Sequence, residues 1–160
     1  MKKKTVTNAM RILTAAGIAF ETVEYEAESV DKDFGVYIAS LTGIDCERSF
    51  KTLVAKGDKT GYVVACIGVA DELDLKKLAS CSGNKRVELV AVKDIRDITG
   101  YIRGGVSPIG MKKKFPTYIN STAQSFEWVA VSGGICGVTL KLNPDDLVKI
   151  TDARYSDITK

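Results

Sequence analysis

The apolar residues of the chain follow two spacings that alternate irregularly along the sequence. Recurrence at the helical period of about 3.6 residues, beginning beside a capping residue, predicts amphipathic helices. Alternation of apolar and polar residues, or a short apolar run between turn residues, predicts strands. The predicted helices cover residues 9–16, 34–42, 75–83, 93–99 and a segment from Pro144 onward, with caps at Thr7 or Asn8, Asp33, Asp74 and Asn143. The predicted strands cover residues 20–25, 49–54, 62–69, 87–90, 117–120, 126–131 and 138–142, the second and third forming a hairpin.

This irregular mixture of elements indicates a mixed α/β fold. The 160 residues contain no internal repeat, low-complexity tract or linker, so we expect one domain, which at this length buries about two thirds of the surface of the unfolded chain. The composition, with 45% hydrophobic and 27% charged residues, is ordinary for a globular protein. No apolar run approaches the roughly 20 residues of a membrane-spanning helix, and the lysine-rich N-terminus does not lead into a signal-peptide core. We therefore expect a cytoplasmic location.

The chain has no histidine, and this narrows the chemistry open to it. Ser-His and Cys-His nucleophiles are excluded, so any acid–base step uses lysine, carboxylate, tyrosine, water or the substrate itself. The four cysteines are widely spaced without a metal-ligand rhythm, so no metal site is expected. Lys and Arg outnumber Asp and Glu by only 23 to 20, so clustering of basic residues matters more than net charge. The candidates for one basic surface are Lys76, Lys77, Lys85, Arg86, Arg103 and Lys112 to Lys114.

A glycine-rich loop from Gly100 to Lys114 is the first candidate for a ligand site. Gly104 and Gly105 allow backbone angles closed to other residues, and such a loop aims several N–H groups at one oxygen or phosphate. The alternative is a plain turn followed by solvated lysines. The loop lacks the ending of a phosphate-binding P-loop, and the proline directly after Ser107 disfavours the nucleophile elbow that a catalytic serine would need. Cys136 lies in a second glycine-rich turn without a neighbouring base, which favours an ordinary turn residue.

Lys51 is the unusual residue of the predicted strand 49–54. By alternation it shares a face with the apolar Leu53 and Ala55, and the opposite face is no more polar. A lysine in this setting extends its amine to solvent at a strand edge, pairs with a carboxylate, or faces a cleft that receives an anionic ligand. Tyr25, which ends the strand before it, either lines a pocket or covers an edge of the core.

Three segments carry motifs that occur together, in this order and at this separation, in one known family. They are Ser-Phe-Lys-Thr-Leu-Val from Ser49 to Val54, Gly-Tyr followed by Gly-Gly-Val-Ser-Pro-Ile-Gly between Gly100 and Gly110, and Val-Ser-Gly-Gly from Val131 to Gly134. The chain resembles the YbaK family of aminoacyl-tRNA deacylases, relatives of the editing domain inserted in bacterial prolyl-tRNA synthetase. The similarity extends over nearly the whole chain, from the first helix to a closing strand at 153–158. It implies a curled mixed β-sheet or partial barrel with flanking helices.

The resemblance also implies an activity and a site. The activity is hydrolysis of a mischarged tRNA, with Cys-tRNA(Pro) as the substrate of the best-known branch, and no cofactor or metal is required. Lys51 matches the pocket lysine of the family and Gly104 its substrate-binding glycine loop, so both are predicted to be catalytic. The predicted substrate-binding residues are Tyr25, Phe34, Thr52, Gly105, Ser107, Gly110, Ser132 and Gly133.

The implied mechanism agrees with the absence of histidine. The ester at the 3′ end of a tRNA is already activated, so holding it and stabilising the oxyanion with loop N–H groups suffices. Water attacks the carbonyl, or in the cysteine branch the thiol of the substrate attacks and leaves as a cyclic thiolactone, which makes the enzyme a hydrolase or a lyase. Lys51 then anchors the terminal phosphate or positions the aminoacyl end.

One departure from the family bears on partners. Close relatives in the cysteine branch have Lys-Arg after Ser-Gly-Gly, where this chain has Ile135 and Cys136. Two positive charges are lost at a turn expected to face tRNA, so docking, amino-acid specificity or partner choice is expected to differ. The expected partners are a mischarged tRNA and a prolyl-tRNA synthetase. The alternatives are editing of another small amino acid, as in Ala-tRNA(Pro), and a non-catalytic binding module on the same fold.

Overall fold

The computed structural model describes residues 6–28 and 34–160. Within these ranges the helices are α1 (Asn8–Ala15), α2 (Phe34–Thr42), α3 (Leu75–Ser82), α4 (Ile95–Thr99) and α5 (Pro144–Thr151). The strands are β1 (Glu21–Glu24), β2 (Phe50–Gly57), β3 (Gly61–Gly68), β4 (Val87–Leu89), β5 (Thr117–Asn120), β6 (Val129–Ser132), β7 (Val138–Leu142) and β8 (Arg154–Ser156). Short 3₁₀ turns lie at Val92–Asp94 and Ser121–Ser125. Each predicted helix and strand is present, with boundaries shifted by a few residues.

Side-chain caps begin the helices as their sequences predicted. The Thr7 hydroxyl accepts a hydrogen bond from the Met10 N–H at 3.2 Å. Asp74 accepts from two N–H groups in the first turn of α3, each at 3.0 Å. Asn143 caps α5 with Pro144 at its first position. These contacts satisfy donors that an isolated helix end leaves free. The predicted cap Asp33 lies outside the described residues.

The strands form two sheets that are joined at one point. The order is β1-β7-β6 in the first sheet and β4-β2-β3-β5-β8 in the second, where only the β3–β5 and β5–β8 pairs are parallel. Ser49, just before β2, bridges Ala130 of β6, and the Ala130 N–H donates to the Arg48 carbonyl at 2.8 Å. The described strands therefore make a curled mixed sheet with flanking helices and no closed barrel, which confirms the predicted fold class.

The edge of β2 is shared by two neighbours that do not meet. Its beginning touches β6 through Ser49, whereas β4 pairs with it only from Ala55 to Gly57. The Val90 N–H, just beyond β4, still reaches the Val54 carbonyl at 3.0 Å. Between these two contacts, no strand of the described part of the chain lies beside the edge from Lys51 to Leu53, and a cleft opens in this gap.

Two apolar clusters hold the elements around this gap. The larger lies between the two sheets, α1 and α5 and includes the fully buried Leu13, Leu140 and Leu147. The smaller lies between the second sheet and α3 and includes Ile67 and Leu78. No helix within residues 6–28 and 34–160 is both long and apolar enough to cross a membrane.

Candidate active site

A cleft of about 340 Å³ occupies the gap beside β2. Its walls are β2, the face of the first sheet that carries Ala130 and Ser132, one side of α2, the segment after β4, and the glycine-rich loop at Arg103 and Gly104. This volume is within the range of small-molecule sites. Most of the wall is apolar, and among its described residues the charged ones are Lys51 and Arg103, both cationic. The cleft therefore suits a ligand that has an apolar body and a negative charge.

Lys51 lies at the open edge of β2 and lines the cleft. It is half-buried, and its Nζ lies 3.4 Å from the carbonyl oxygen of Val69, to which it donates. No carboxylate of the described residues lies within 4 Å of this Nζ. Of the three arrangements that the sequence left open, the structure favours the lysine that faces a cleft. A cation held by one carbonyl still has two N–H donors for an anionic ligand.

The glycine-rich loop presents Gly104 to the same cleft. Gly104 has a φ of +90°, a conformation that favours glycine. The neighbouring Gly105 N–H donates to the Ile102 carbonyl at 2.9 Å, and the Ile109 N–H donates to the Ser107 hydroxyl at 3.2 Å. These two donors are thus used within the loop. The N–H groups of Gly104 and Val106, two residues of the cleft wall, have no partner among the described residues and are the candidate donors to an oxyanion.

The two glycine-rich turns of the chain pack against each other behind the cleft. A Cβ on Gly105 would lie 2.8 Å from the Cα of Ile135, and one on Gly134 would lie 3.1 Å from the Tyr101 ring. The Tyr101 hydroxyl donates to the Ile109 carbonyl, and burial raises the pKa of this phenol. Tyr101 therefore stays neutral and ties the end of the loop to its beginning. Glycine is required at these contacts because a side chain would push the turns apart.

The structure separates the predicted site residues into two groups. Tyr25, Phe34, Thr52 and Ser132 line the cleft together with the two predicted catalytic residues. The remaining four do not line it, and their part in substrate binding stays a prediction. Ser107 is fully buried and hydrogen-bonded within the loop, Gly105 packs on Ile135, Gly133 packs on Val138, and Gly110 lies beside Ile12 and Asn8 of α1. Their role here is to shape the two turns that carry Gly104 and Ser132.

Tyr25 stands at the rim between β1 and the second glycine turn. Its N–H donates to the Gly137 carbonyl at 2.9 Å. Burial raises the pKa of the Tyr25 phenol, and a hydrogen bond from the Gly137 backbone offsets part of this change. The side chain of Cys136 lies beside the phenol, and this cysteine is exposed. Tyr25 is therefore a neutral wall residue at neutral pH, and it lines the pocket rather than only covering the core.

Sequence reasoning missed part of the cleft wall. The sequence marks Ser49 only as the start of a motif and Thr139 only as part of a predicted strand, yet both line the cleft. Thr139 is the register partner of Ser132 across β6 and β7, a relation that no spacing in the sequence reveals. Of the eight basic residues proposed for one surface, Arg103 lines the cleft and the other seven do not. Two of them pair with carboxylates elsewhere, Lys77 with Asp157 at 3.0 Å and Lys114 with Asp152 at 2.9 Å.

Comparisons with known proteins agree on one family. A family model described as an aminoacyl-tRNA editing domain matches residues 36–150. A candidate Cys-tRNA(Pro)/Cys-tRNA(Cys) deacylase from Enterococcus faecalis, EbsC, is 47% identical over 160 residues, which cover 99% of this chain and 97% of that protein. A multifunctional Ser/Thr-tRNA deacylase from Escherichia coli, ProXp-y, is 26% identical over 94% of this chain and 91% of that protein. The solved structure of a candidate trans-editing enzyme for prolyl-tRNA synthetase shares the fold, with a TM-score of 0.82, 23% identity, and coverage of 98% of this chain and 99% of that one.

Proposed function

The chain belongs to the family of aminoacyl-tRNA editing domains, and from its cleft we propose that it is a freestanding deacylase, acting as one domain, that hydrolyses the ester of mischarged aminoacyl-tRNA. The observation that carries the proposal is the meeting of Lys51 and Gly104 in one cleft. We take Cys-tRNA(Pro) as its substrate, because the relative with 47% identity carries the name of a candidate Cys-tRNA(Pro)/Cys-tRNA(Cys) deacylase.

The cleft offers the two functions that an activated ester needs. Lys51 attracts the phosphate or the polar end of the terminal aminoacyl-adenosine, and the wall of β2 and α2 encloses its apolar parts. The free N–H groups of Gly104 and Val106 stabilise the negative charge that develops on the carbonyl oxygen. These donors are held in place beforehand by hydrogen bonds inside the loop. No side chain with an ordinary pKa near neutrality is needed as a base.

Two nucleophiles fit this arrangement. When water attacks, the bond between the carbonyl carbon and the ribose oxygen breaks, and the free amino acid and the tRNA 3′ hydroxyl result. When the thiol of a cysteinyl ester attacks, a sulfur–carbon bond forms, the same carbon–oxygen bond breaks, and the thiol proton passes to the ribose oxygen. The second path yields a cyclic thiolactone. Both paths use the same oxyanion contact, so the cleft serves either.

The charges on the surface around the cleft support the proposed partners. The tRNA brings negative phosphates to Lys51 and Arg103 at the cleft. The exposed turn at Ile135 and Cys136 is uncharged, so it adds no phosphate contact, and 40% of the Ile135 surface is open to solvent. We propose that this turn contacts a prolyl-tRNA synthetase that binds the same tRNA. Co-purification of the two proteins, compared with an Ile135→Lys variant, tests this contact, and equal recovery of both variants would argue against it.

The test of the function is a deacylation panel. The substrates are tRNA(Pro) charged separately with cysteine, alanine, proline, serine and threonine, and tRNA(Cys) charged with cysteine. We expect the parent protein to clear Cys-tRNA(Pro) and to spare Pro-tRNA(Pro). Lys51→Ala should lower kcat/KM by about 100-fold or more, as when a charge that stabilises the transition state is lost. Folding should be retained, because a half-exposed lysine contributes little to stability.

A second lysine of the same strand is the matched control. Lys56 is exposed on β2 and lies over the Tyr62 ring at 5.8 Å, outside the cleft. Lys56→Ala should therefore leave kcat/KM within about twofold, as expected for a surface change. Full activity of a folded Lys51→Ala protein would remove Lys51 from the mechanism. No activity of the parent on any ester would favour a binding module, and a preference for alanine would place the chain with enzymes that edit Ala-tRNA(Pro).

A further inference from the structure

Two hydroxyl groups on the inner wall of the cleft have no hydrogen-bond partner within residues 6–28 and 34–160. Ser49 and Thr139 line the cleft, although only 7% and 5% of their surfaces are exposed. Neither hydroxyl takes part in a hydrogen bond among the described residues, and no enclosed side-chain oxygen in that part of the chain lacks a partner. Each oxygen is therefore open to solvent, and the cleft is the space that both residues line. A nearly buried hydroxyl that faces a cavity without a partner is suited to hydrogen-bond a ligand.

The sheet register brings these two hydroxyls to the same wall. Thr139 of β7 is the partner of Ser132 in β6, and Ser49 bridges Ala130 of the same strand. Ala130 and Ser132 are two positions apart, so they share one face of the sheet. The Ser132 hydroxyl already accepts from the Gly134 N–H at 3.2 Å. The wall thus has a methyl group at Ala130, which leaves room, and free hydroxyls on either side of β6.

The position of Ser49 and Thr139 along the depth of the cleft indicates which part of the substrate reaches them. The body of a tRNA stays outside, so the strand enters through the mouth of the cleft and its aminoacyl end travels farthest. Leu89 and Val92 line the cleft but are 51% and 57% exposed, which places them at the mouth. Ser49 and Thr139 are an order of magnitude less exposed and lie at the inner end. The amino-acid side chain, rather than the terminal ribose, is the group that reaches them.

We propose that Ser49 and Thr139 recognise the side chain of the edited amino acid and favour a small residue with a hydroxyl or thiol group, such as serine or cysteine. The inference rests on the proposed function, because it takes the ligand to be an aminoacyl-tRNA end. A polar side chain hydrogen-bonds to the wall hydroxyl that it reaches, whereas a methyl group of the same size leaves both hydroxyls without a ligand contact. Pockets that hydrogen-bond a substrate hydroxyl discriminate against the analogue that lacks it.

The first arm of the test measures binding without catalysis. The ligands are 3′-amino-3′-deoxyadenosine amides of serine, 2-aminobutyrate and alanine, which cannot be hydrolysed as esters; 2-aminobutyrate replaces the serine hydroxyl by a methyl group. We expect the parent protein to bind the seryl amide more tightly than the 2-aminobutyryl amide. The double variant Thr139→Val/Ser49→Ala should weaken seryl-amide binding by about 3- to 10-fold, the loss expected for one neutral hydrogen bond. Binding of the other two amides should change by less than twofold.

Thr22→Val is the matched control. Thr22 is exposed on β1 next to Val23, the register partner of Thr139, so its side chain lies on the other face of the sheet. This variant should bind all three amides like the parent. Thermal unfolding of every variant checks the fold. Equal losses for all three amides in the double variant, or no loss for the seryl amide, would overturn the proposal, as would a parent protein that binds none of them.

The second arm repeats the comparison with seryl and 2-aminobutyryl esters of tRNA(Pro). If the parent protein clears esters and the double variant shows no change of preference, the side-chain assignment is contradicted and the deacylase function stands. A parent that clears no ester, yet binds the amides with the expected preference, contradicts the deacylase function and supports the assignment. The two failures are therefore distinguishable.

Discussion

Replacing Gly105 by alanine tests whether catalysis depends on the contact between the two glycine-rich turns. Gly105 does not have a left-handed backbone, so the substitution causes no conformational strain of its own. The effect of the substitution comes from a steric clash. The added methyl carbon would lie 2.8 Å from the Cα of Ile135 and 3.0 Å from the backbone nitrogen of Cys136. These are main-chain atoms, which cannot rotate away as a flexible side chain does.

The size of the effect follows from these distances. Ordinary van der Waals contact begins near 3.4 Å, so loop and turn must separate by about 0.6 Å, the difference from the 2.8 Å contact. Overpacking of this kind costs about 1–3 kcal/mol of the free energy of unfolding. Gly104, the adjacent residue, lines the cleft and moves with the loop. Since a misplacement of about 1 Å reduces catalysis by about 100-fold, we expect kcat/KM to fall by about 10- to 100-fold.

The assay combines urea unfolding with deacylation of Cys-tRNA(Pro), and Gly83→Ala is the control. Gly83 ends α3 with a φ of +78°, and a methyl group there would meet nothing within 4 Å. Strain in the left-handed conformation costs about 1–2 kcal/mol, yet kcat/KM should stay within about twofold of the parent. The reasoning is refuted if Gly105→Ala loses stability but keeps its activity, or if Gly83→Ala loses as much activity as Gly105→Ala.

Three further predictions concern single charged or ionisable groups. Arg103→Gln should raise KM for tRNA and lower the salt slope of binding by about 0.7 to 0.9 for the lost phosphate contact; an unchanged KM and slope would exclude that contact. Burial raises the pKa of the Cys66 thiol to about 12, whereas Cys136 is exposed, so iodoacetamide at pH 8 should label Cys136 and spare Cys66 until denaturant is added, as peptide mass spectrometry will show. Hydrogen bonds from backbone N–H groups of α3 lower the pKa of Asp74 from its ordinary value of 3.8. The contribution of Asp74 to stability is therefore present above pH 4 and is lost as the pH falls through the folded pKa. The difference in Tm between the parent and Asp74→Ala should shrink below about pH 4. A difference that stayed constant would contradict the cap.

Local patterns in the sequence were sufficient for the elements and the family. Caps such as Thr7 and Asn143 act on N–H groups two or three residues away, so their signals are contained in a short window. The predicted strand at 126–131 is the main boundary error. Phe126 and Trp128 precede β6 and pack around Arg48, with its guanidinium 5.0 and 4.6 Å from the two ring centres. Phe126 and Trp128 have high β propensity but lie outside the hydrogen-bonded strand, because their rings make cation–π contacts with Arg48.

The three family motifs also located the cleft, because each occurs within a few residues. Lys51, Gly104 and Ser132 are predicted site residues from three different motifs, and the fold brings all three to one cavity. The comparisons confirm the family that these motifs indicated. The motifs did not tell which of their members face the cavity, and Ser107 shows why. Its hydroxyl turns inward to the Ile109 N–H, a choice made by the packing of the loop and not by the order of its residues.

By itself, the sequence determined the order of helices and strands, the mixed α/β class and the family, since these depend on interactions between residues close together in the chain. Only the tertiary structure decided which side chains share the cleft. Ser49, Lys51 and Thr139 meet because a single bridge between Ser49 and Ala130 joins two sheets and then lets β2 and β6 separate. That separation is a relation between segments about 80 residues apart, and it follows from how the two sheets curl around their common core, which no local spacing encodes.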